Sequence, residues 1–190
     1  MMKILIIDNL TLNSEYIKDL LQDNEVDVQI YNHIQVNEIA QYDLIILTGT
    51  KHKYMGTVLQ EWDRLKIERE IILNSNKPII GICYGCELIA AVFGSMLEFT
   101  DSKITGDYEI KFELDVGFAL DSKYKVYGNH SLFISELGSE LESVARSGDS
   151  LEIFRHKSRP IYGLQFHPEK EALTTDGDEI FLRLVKNLTA

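Results

Sequence analysis

The sequence predicts an α/β fold of three layers: a central, mostly parallel sheet, helices on both of its faces, and a small antiparallel insert. Three observations lead there. Short continuous apolar runs, typical of strands buried on both faces, alternate with helix-periodic segments through the first half of the chain. Such alternation is the pattern of βαβ units and therefore of parallel pairing. After residue 95 the pattern changes to shorter segments of alternating apolar and polar residues, as in antiparallel strands. The 190 residues suit one domain spanning 1–190, and no repeat, low-complexity tract or linker interrupts them.

The elements follow in order. Residues 3–8 form an apolar run that ends in a polar turn, the first buried strand. Asn13 or Ser14 is placed to cap a helix reaching about residue 22, with Ile17, Leu20 and Leu21 on one face. Residues 26–31 alternate and read as a strand, and residues 42–48 are a second buried run that stops at Gly49. Residues 57–74 read as a long helix with Leu59, Trp62, Leu65, Ile72 and Leu73 toward the core. A strand over 77–83 passes directly into a helix over 84–93, which Gly94 terminates. Residues 95–127, including an alternating stretch at 108–114, supply the antiparallel strands. Further strands at 151–155 and 161–166 precede an amphipathic helix over 176–188.

Composition excludes several function classes. Apolar residues make up 45% and charged residues 26%, the balance of a soluble globular protein. The longest apolar runs are about 5–7 residues, against the roughly 20 that cross a bilayer. The run after Lys3 is broken by Asp8 and Asn9, too early for a signal peptide. Net charge is −11, which repels phosphate backbones and anionic lipid, so neither nucleic acid nor membrane is an expected partner. Two cysteines cannot build a disulfide framework, and a reducing, cytoplasmic location with free thiols is expected. No phosphate loop or metal-ligand spacing appears, so no cofactor or metal is implied.

Chemistry concentrates at Gly81-Ile-Cys83-Tyr-Gly85, where a buried strand meets a helix. The Gly-x-Cys-x-Gly spacing is that of a nucleophile elbow with sulfur in place of oxygen. Glycines are required where the turn is sharp and neighbouring strands are close. The helix N-terminus lowers the thiol pKa and offers N–H groups to a developing oxyanion. Other readings of Cys83 are an inert core thiol, a Cys83-x-x-Cys86 redox pair, or a zinc ligand, the last lacking a second ligand pair.

A thiol nucleophile needs a base, and the base an orienting group. Of His33, His52, His130, His156 and His167, the last stands out. It ends the strand over 161–166 and is followed by Pro168 and Glu169, a carboxylate able to turn back onto the imidazole. Sites in parallel sheets form at the carboxyl ends of strands, where both Cys83 and His167 fall.

"GICYG" and "YGLQFHPE", about 80 residues apart, together resemble the triad-type (class I) glutamine amidotransferases, and the likeness covers nearly the whole chain. The tail resembles both the anthranilate synthase type and the stand-alone amidotransferase subunit of GMP synthase. The tyrosine of "GICYG" is common in the latter, and "NHSL" at 129–132 leans to the former. The resemblance implies a flavodoxin-like fold. It implies Cys83 as nucleophile, His167 as base and Glu169 as its orienting group, acting on glutamine and releasing ammonia to a synthetase. The 190 residues leave no room for a synthetase domain, so that partner is expected to be a separate polypeptide. Tyr84 is implied as one oxyanion donor, with the other from Gly49-Thr50-Lys51, where the family has Gly-Gly-Pro. Threonine still supplies an N–H but resists a positive φ. Glu87 stands where the family usually has a substrate-holding glutamine, and the backbone of Ser131 and Leu132 is implied to hold the amino-acid end of the substrate. As an ordinary helix residue, Glu87 would simply suit a first turn, and 129–132 would be an exposed loop. The departures at Thr50 and Glu87 leave open a free-standing hydrolase of γ-glutamyl compounds, and a non-catalytic binding protein is the reading from another class.

Overall fold

The structure, a computed structural model, describes residues 1–51, 55–170 and 174–190. His52 lies outside the described residues. Among the described residues, nine strands form one sheet in the order β2-β1-β3-β4-β9-β8-β7-β5-β6. Four strands, β1 (Lys3–Asp8), β3 (Leu44–Leu47), β4 (Ile79–Ile82) and β9 (Ile161–Leu164), form its centre. The last three are buried at every position, as is the middle of β1, which is why they read as unbroken apolar runs. With the edge strand β2 (Glu25–Ile30) they pair in parallel in the order 2-1-3-4-9, so all their carboxyl ends point one way.

The antiparallel strands continue this sheet. β8 (Ser150–His156) pairs with β9, β7 (Leu141–Ser147) with β8, and β5 (Met96–Phe112) with both β7 and β6 (Lys123–Glu136). β5 is one 17-residue strand in place of the shorter segments expected, broken in register between Phe99 and Ile104. β7 has no counterpart among the sequence expectations. Register shifts at Ser143/Ala145 and Ala145/Arg146 destroy the alternation by which a strand is recognised.

Two apolar clusters, one on each face, fill the space between the sheet and the helices α1 (Ser14–Leu20), α2 (Lys66–Asn74), α3 (Tyr84–Val92) and α4 (Gly177–Leu188). α3 ends as its sequence requires: Gly94 takes φ +78°, Gly94 N–H donates to Ala91 O and Ser95 N–H to Ala90 O. The helix expected over 57–74 is corrected to Lys66–Asn74. Residues 58–65 form successive turns, fastened by Glu61, which accepts from the Gly56 N–H and from Arg64. Leu65, Glu68 and Ile72, spaced i, i+3, i+7, face inward, which turns Leu73 outward; Leu59 is likewise exposed. A short 3₁₀ helix covers Val36–Gln41. No helix among the described residues is long and apolar enough to cross a membrane.

Candidate active site

The carboxyl ends of β1, β3, β4 and β9 bring four short segments together. After β4, Cys83 adopts φ +50°, ψ −104°, a conformation that costs a non-glycine residue about 1–3 kcal/mol. Hydrogen bonds hold it there: Cys83 N–H donates to Leu164 O, Glu87 N–H to Cys83 O, and Gly85 N–H to Thr48 O. The flanking glycines are explained by distance. A Cβ on Gly81 would lie 2.5 Å from the Gly85 carbonyl, and one on Gly85 2.3 Å from Leu47 O.

After β9, His167 is anchored by its N–H to Tyr127 O. Its Nδ1–H donates to Glu169 Oε1 at 2.8 Å, and the side chains of both residues are buried. Asn13 Nδ2 donates to the same Glu169 oxygen at 3.1 Å. Asn13 therefore does not cap α1 with its side chain, and it joins the site instead. Nothing in the sequence marks it, since its partner is 156 residues away. After β3, Gly49 fits between the other two segments: a Cβ there would lie 3.2 Å from His167 Cε1 and 3.5 Å from Cys83 Cβ.

Burial pushes the Cys83 thiol up, and the neighbouring His167 imidazolium only partly offsets that. Burial also works against the His167 cation, but the Cys83 and Glu169 charges and hydrogen bonds outweigh it and raise the imidazole to about 10. Burial likewise opposes the Glu169 charge, yet hydrogen bonds from His167 and Asn13 hold its carboxyl below the usual range. The arrangement favours a proton on His167 whenever Cys83 is a thiolate, as a cysteine nucleophile requires.

The remaining expected residues divide. Thr50 lines a cleft of about 360 Å³ beside His167, together with Lys51, Lys103, Asn129 and Lys170. Lys51 and Asn129 enter the sequence reading only as members of their motifs, and Lys103 and Lys170 do not enter it at all. Tyr84 is the first residue of α3, where backbone N–H groups have no partner within the helix. Ser131 and Leu132 do not line the cleft. They lie within β6, not in a loop, with Ser131 O accepting from the Thr100 hydroxyl and Leu132 O engaged by His130 Nδ1 at 2.7 Å. Cys86 is fully buried, its thiol raised well above the ordinary value by burial.

Glu87 is also withdrawn from the cleft wall. It is buried one turn into α3 and accepts from Gln165 Nε2 at 3.2 Å. Burial pushes its carboxyl up to about 8, against the opposing effects of Gln165 and His167. The folded state therefore keeps a proton that the unfolded chain loses near pH 4.5. That lowers stability progressively as pH rises from about 4.5 to about 8, with no effect below and a constant one above. In urea unfolding, the midpoint of Glu87→Gln relative to wild type is expected to rise between about pH 5 and pH 8 and then level off. A gap that does not change with pH refutes a neutral Glu87.

A family model for class-I glutamine amidotransferases matches residues 5–187. The chain is 32% identical to a glutamine-hydrolysing GMP synthase subunit from Methanococcoides burtonii, covering 97% of this chain and 96% of that protein. It is 31% identical to the protein of the same name from Thermoplasma acidophilum, covering 97% and 92%. The crystal structure of a GMP synthase subunit protein from T. acidophilum superposes with a TM-score of 0.86 at 27% identity, covering 99% of this chain and 94% of that one. Both catalytic-type motifs lie inside the matched region, and the chain belongs to the class-I glutamine amidotransferase family.

Proposed function

We propose that the chain is the glutamine-hydrolysing component of a two-polypeptide GMP synthase, releasing ammonia for a separate synthetase subunit. The observation that carries this is the buried His167–Glu169 hydrogen bond of 2.8 Å beside a cysteine held at positive φ, in a chain similar over almost its full length to glutamine-hydrolysing GMP synthase subunits. The one continuous sheet supports reading residues 1–190 as a single amidotransferase domain. The two free thiols fit a reducing cytoplasm.

The steps follow from the geometry. His167 takes the Cys83 proton at Nε2, the ring nitrogen turned away from Glu169, and the sulfur attacks the side-chain carbonyl carbon of glutamine. The oxyanion that forms is met by the Tyr84 N–H and by an N–H from Gly49 or Thr50. The tetrahedral adduct collapses as the imidazolium gives its proton to the departing nitrogen, leaving ammonia and a γ-glutamyl thioester. His167 then takes a proton from water, which adds to the thioester; glutamate leaves and the thiol is restored. Glu169, with Asn13 behind it, holds the imidazole in the tautomer with the proton on Nδ1. Glu87 and the β6 backbone at Ser131 and Leu132 contribute indirectly, by fixing Gln165 and the strand that carries Asn129.

One observation favours a second reading. Three lysines, Lys51, Lys103 and Lys170, line the cleft of a chain with a net charge of −11. They would suit a γ-glutamyl compound with an additional anionic group. Ammonia release from glutamine, alone and with a GMP synthetase subunit, is to be compared with release of amine from γ-glutamyl peptides. Turnover of glutamine that rises with the synthetase is expected. Hydrolysis of γ-glutamyl peptides alone, unaffected by the synthetase, would replace the first reading with the second.

A further inference from the structure

Among the described residues, two that are not glycine have a positive φ: Cys83 at +50° and Leu10 at +59°. At Cys83 the strain belongs to the elbow. Leu10 carries no reactive group, yet it follows β1 at the same carboxyl edge of the sheet. Such a conformation costs a non-glycine residue about 1–3 kcal/mol, and it persists where the surroundings fix it, commonly at functional sites. Around Leu10 the fixing is done by a relay of hydrogen bonds. The Asp8 side chain accepts from the Thr11 N–H at 2.9 Å, closing the turn over Asn9 and Leu10. The Thr11 hydroxyl in turn accepts from the Asn13 N–H at 3.2 Å.

The turn of residues 9–13 grips both halves of the active site. On one side it holds the β3 loop at each end of Gly49-Thr50. Asn9 N–H donates to Thr48 Oγ1 at 2.9 Å and Asn9 Nδ2 to Thr48 O at 3.2 Å, while Leu10 O accepts from the Lys51 N–H at 3.3 Å. On the other side Asn13 Nδ2 donates at 3.1 Å to Glu169 Oε1, the oxygen that also accepts from His167 Nδ1–H. Five consecutive residues therefore set the spacing between the oxyanion loop and the carboxylate that orients the base.

We propose that Asp8 is a positioning residue for the reaction, pinning the turn that clamps the oxyanion loop against the triad. The inference rests on the hydrolytic reading above. Asp8 does not line the cleft and acts only through Thr11 and Asn13. What it supplies to the turn is a hydrogen-bond acceptor, so an amide oxygen in the same place serves equally. Both ends of the clamp serve the same step. Glu169 keeps the imidazole aimed at Cys83, and the loop keeps an N–H aimed at the developing oxyanion. A displacement near 1 Å at such groups costs about 10²-fold in rate, and it falls on kcat because the clamp aligns reacting groups.

The test measures turnover of whichever amide wild type hydrolyses, glutamine or a γ-glutamyl peptide, in variants shown to be folded by their urea midpoints. Asp8→Ala is expected to lose about 10- to 10²-fold in kcat with KM nearly unchanged. Asp8→Asn, whose side-chain oxygen still accepts from the Thr11 N–H, is expected to stay within a few-fold of wild type. The double variant Asp8→Ala/Asn13→Ala is expected to be no slower than the slower single variant, because both substitutions cut one relay. Should Asp8→Ala not fold, Thr11→Val cuts the relay at its next link and Thr11→Ser preserves it, with the same loss and recovery expected. Unchanged kcat in Asp8→Ala, or in Thr11→Val in its place, overturns the proposal. So does a loss shared by the conservative variant, or one that multiplies with that of Asn13→Ala, as independent structural damage would. Failure of the hydrolytic reading shows separately, as absence of turnover in the wild-type control, and overturns both.

Discussion

Cys83→Ala is expected to abolish ammonia release, a loss of about 10⁴-fold or more, while Cys86→Ala retains activity within a few-fold. The two thiols are three residues apart and both buried, yet their surroundings differ in kind. Cys83 occupies the strained turn, its charge coupled to His167, so a thiolate formed there has a cation beside it. Cys86 lies one turn up α3, and the charges acting on its thiol are all negative or of thiol origin. Its sulfur packs so near Gly163 that a Cβ there would lie 2.9 Å from it, which is the environment of a small core side chain. Removing that sulfur costs packing, about 1–2 kcal/mol, and no chemistry. Ammonia release and mass labelling with a diazo-ketone glutamine analogue check both variants. Activity that survives Cys83→Ala but not Cys86→Ala would refute the assignment of the nucleophile.

The parts of this site that were legible in sequence are those encoded locally. Gly81, Cys83 and Gly85 sit in one turn, and each glycine excludes a specific clash with neighbouring backbone. His167 and Glu169 are two residues apart, so their pairing needs no knowledge of the fold. The central strands were equally plain, since burial on both faces leaves a continuous apolar run. What escaped is long-range or irregular. Asn13 reads as a helix cap by residue type, and only the sheet brings it to Glu169. Lys103 reaches the cleft through a strand whose register breaks just before Ile104. Glu68 looks like a surface helix residue until the turns at 58–65 shorten its helix and set which face is inward. Ser131 and Leu132 were assigned by likeness to a motif, whereas their carbonyls are already engaged within and beside β6.

Gly85→Ala is expected to destabilise the chain by about 3 kcal/mol or more, beyond the usual cost of overpacking, and to remove most of the remaining activity. The added methyl would meet Leu47 O at 2.3 Å and Leu47 Cβ at 2.7 Å. Leu47 cannot yield, because β3 is paired on both sides, with Ile7 of β1 and Gly81 of β4. Nor can α3 tilt freely, because Gly85 N–H is bonded to Thr48 O and Gly81 abuts the Gly85 carbonyl. The helix N-terminus must therefore retreat, carrying with it the Tyr84 N–H and the Cys83 sulfur; a displacement near 1 Å at reacting groups costs about 10²-fold in rate. Gly148→Ala is the control. That glycine has φ +57° but nothing within 4 Å of a Cβ, so its substitution carries only a conformational cost of about 1 kcal/mol. Urea midpoints and kcat measured side by side separate the two effects. Steric closeness to Leu47, rather than backbone freedom, is the reason for glycine at 85, and equal destabilisation of the two variants would disprove it.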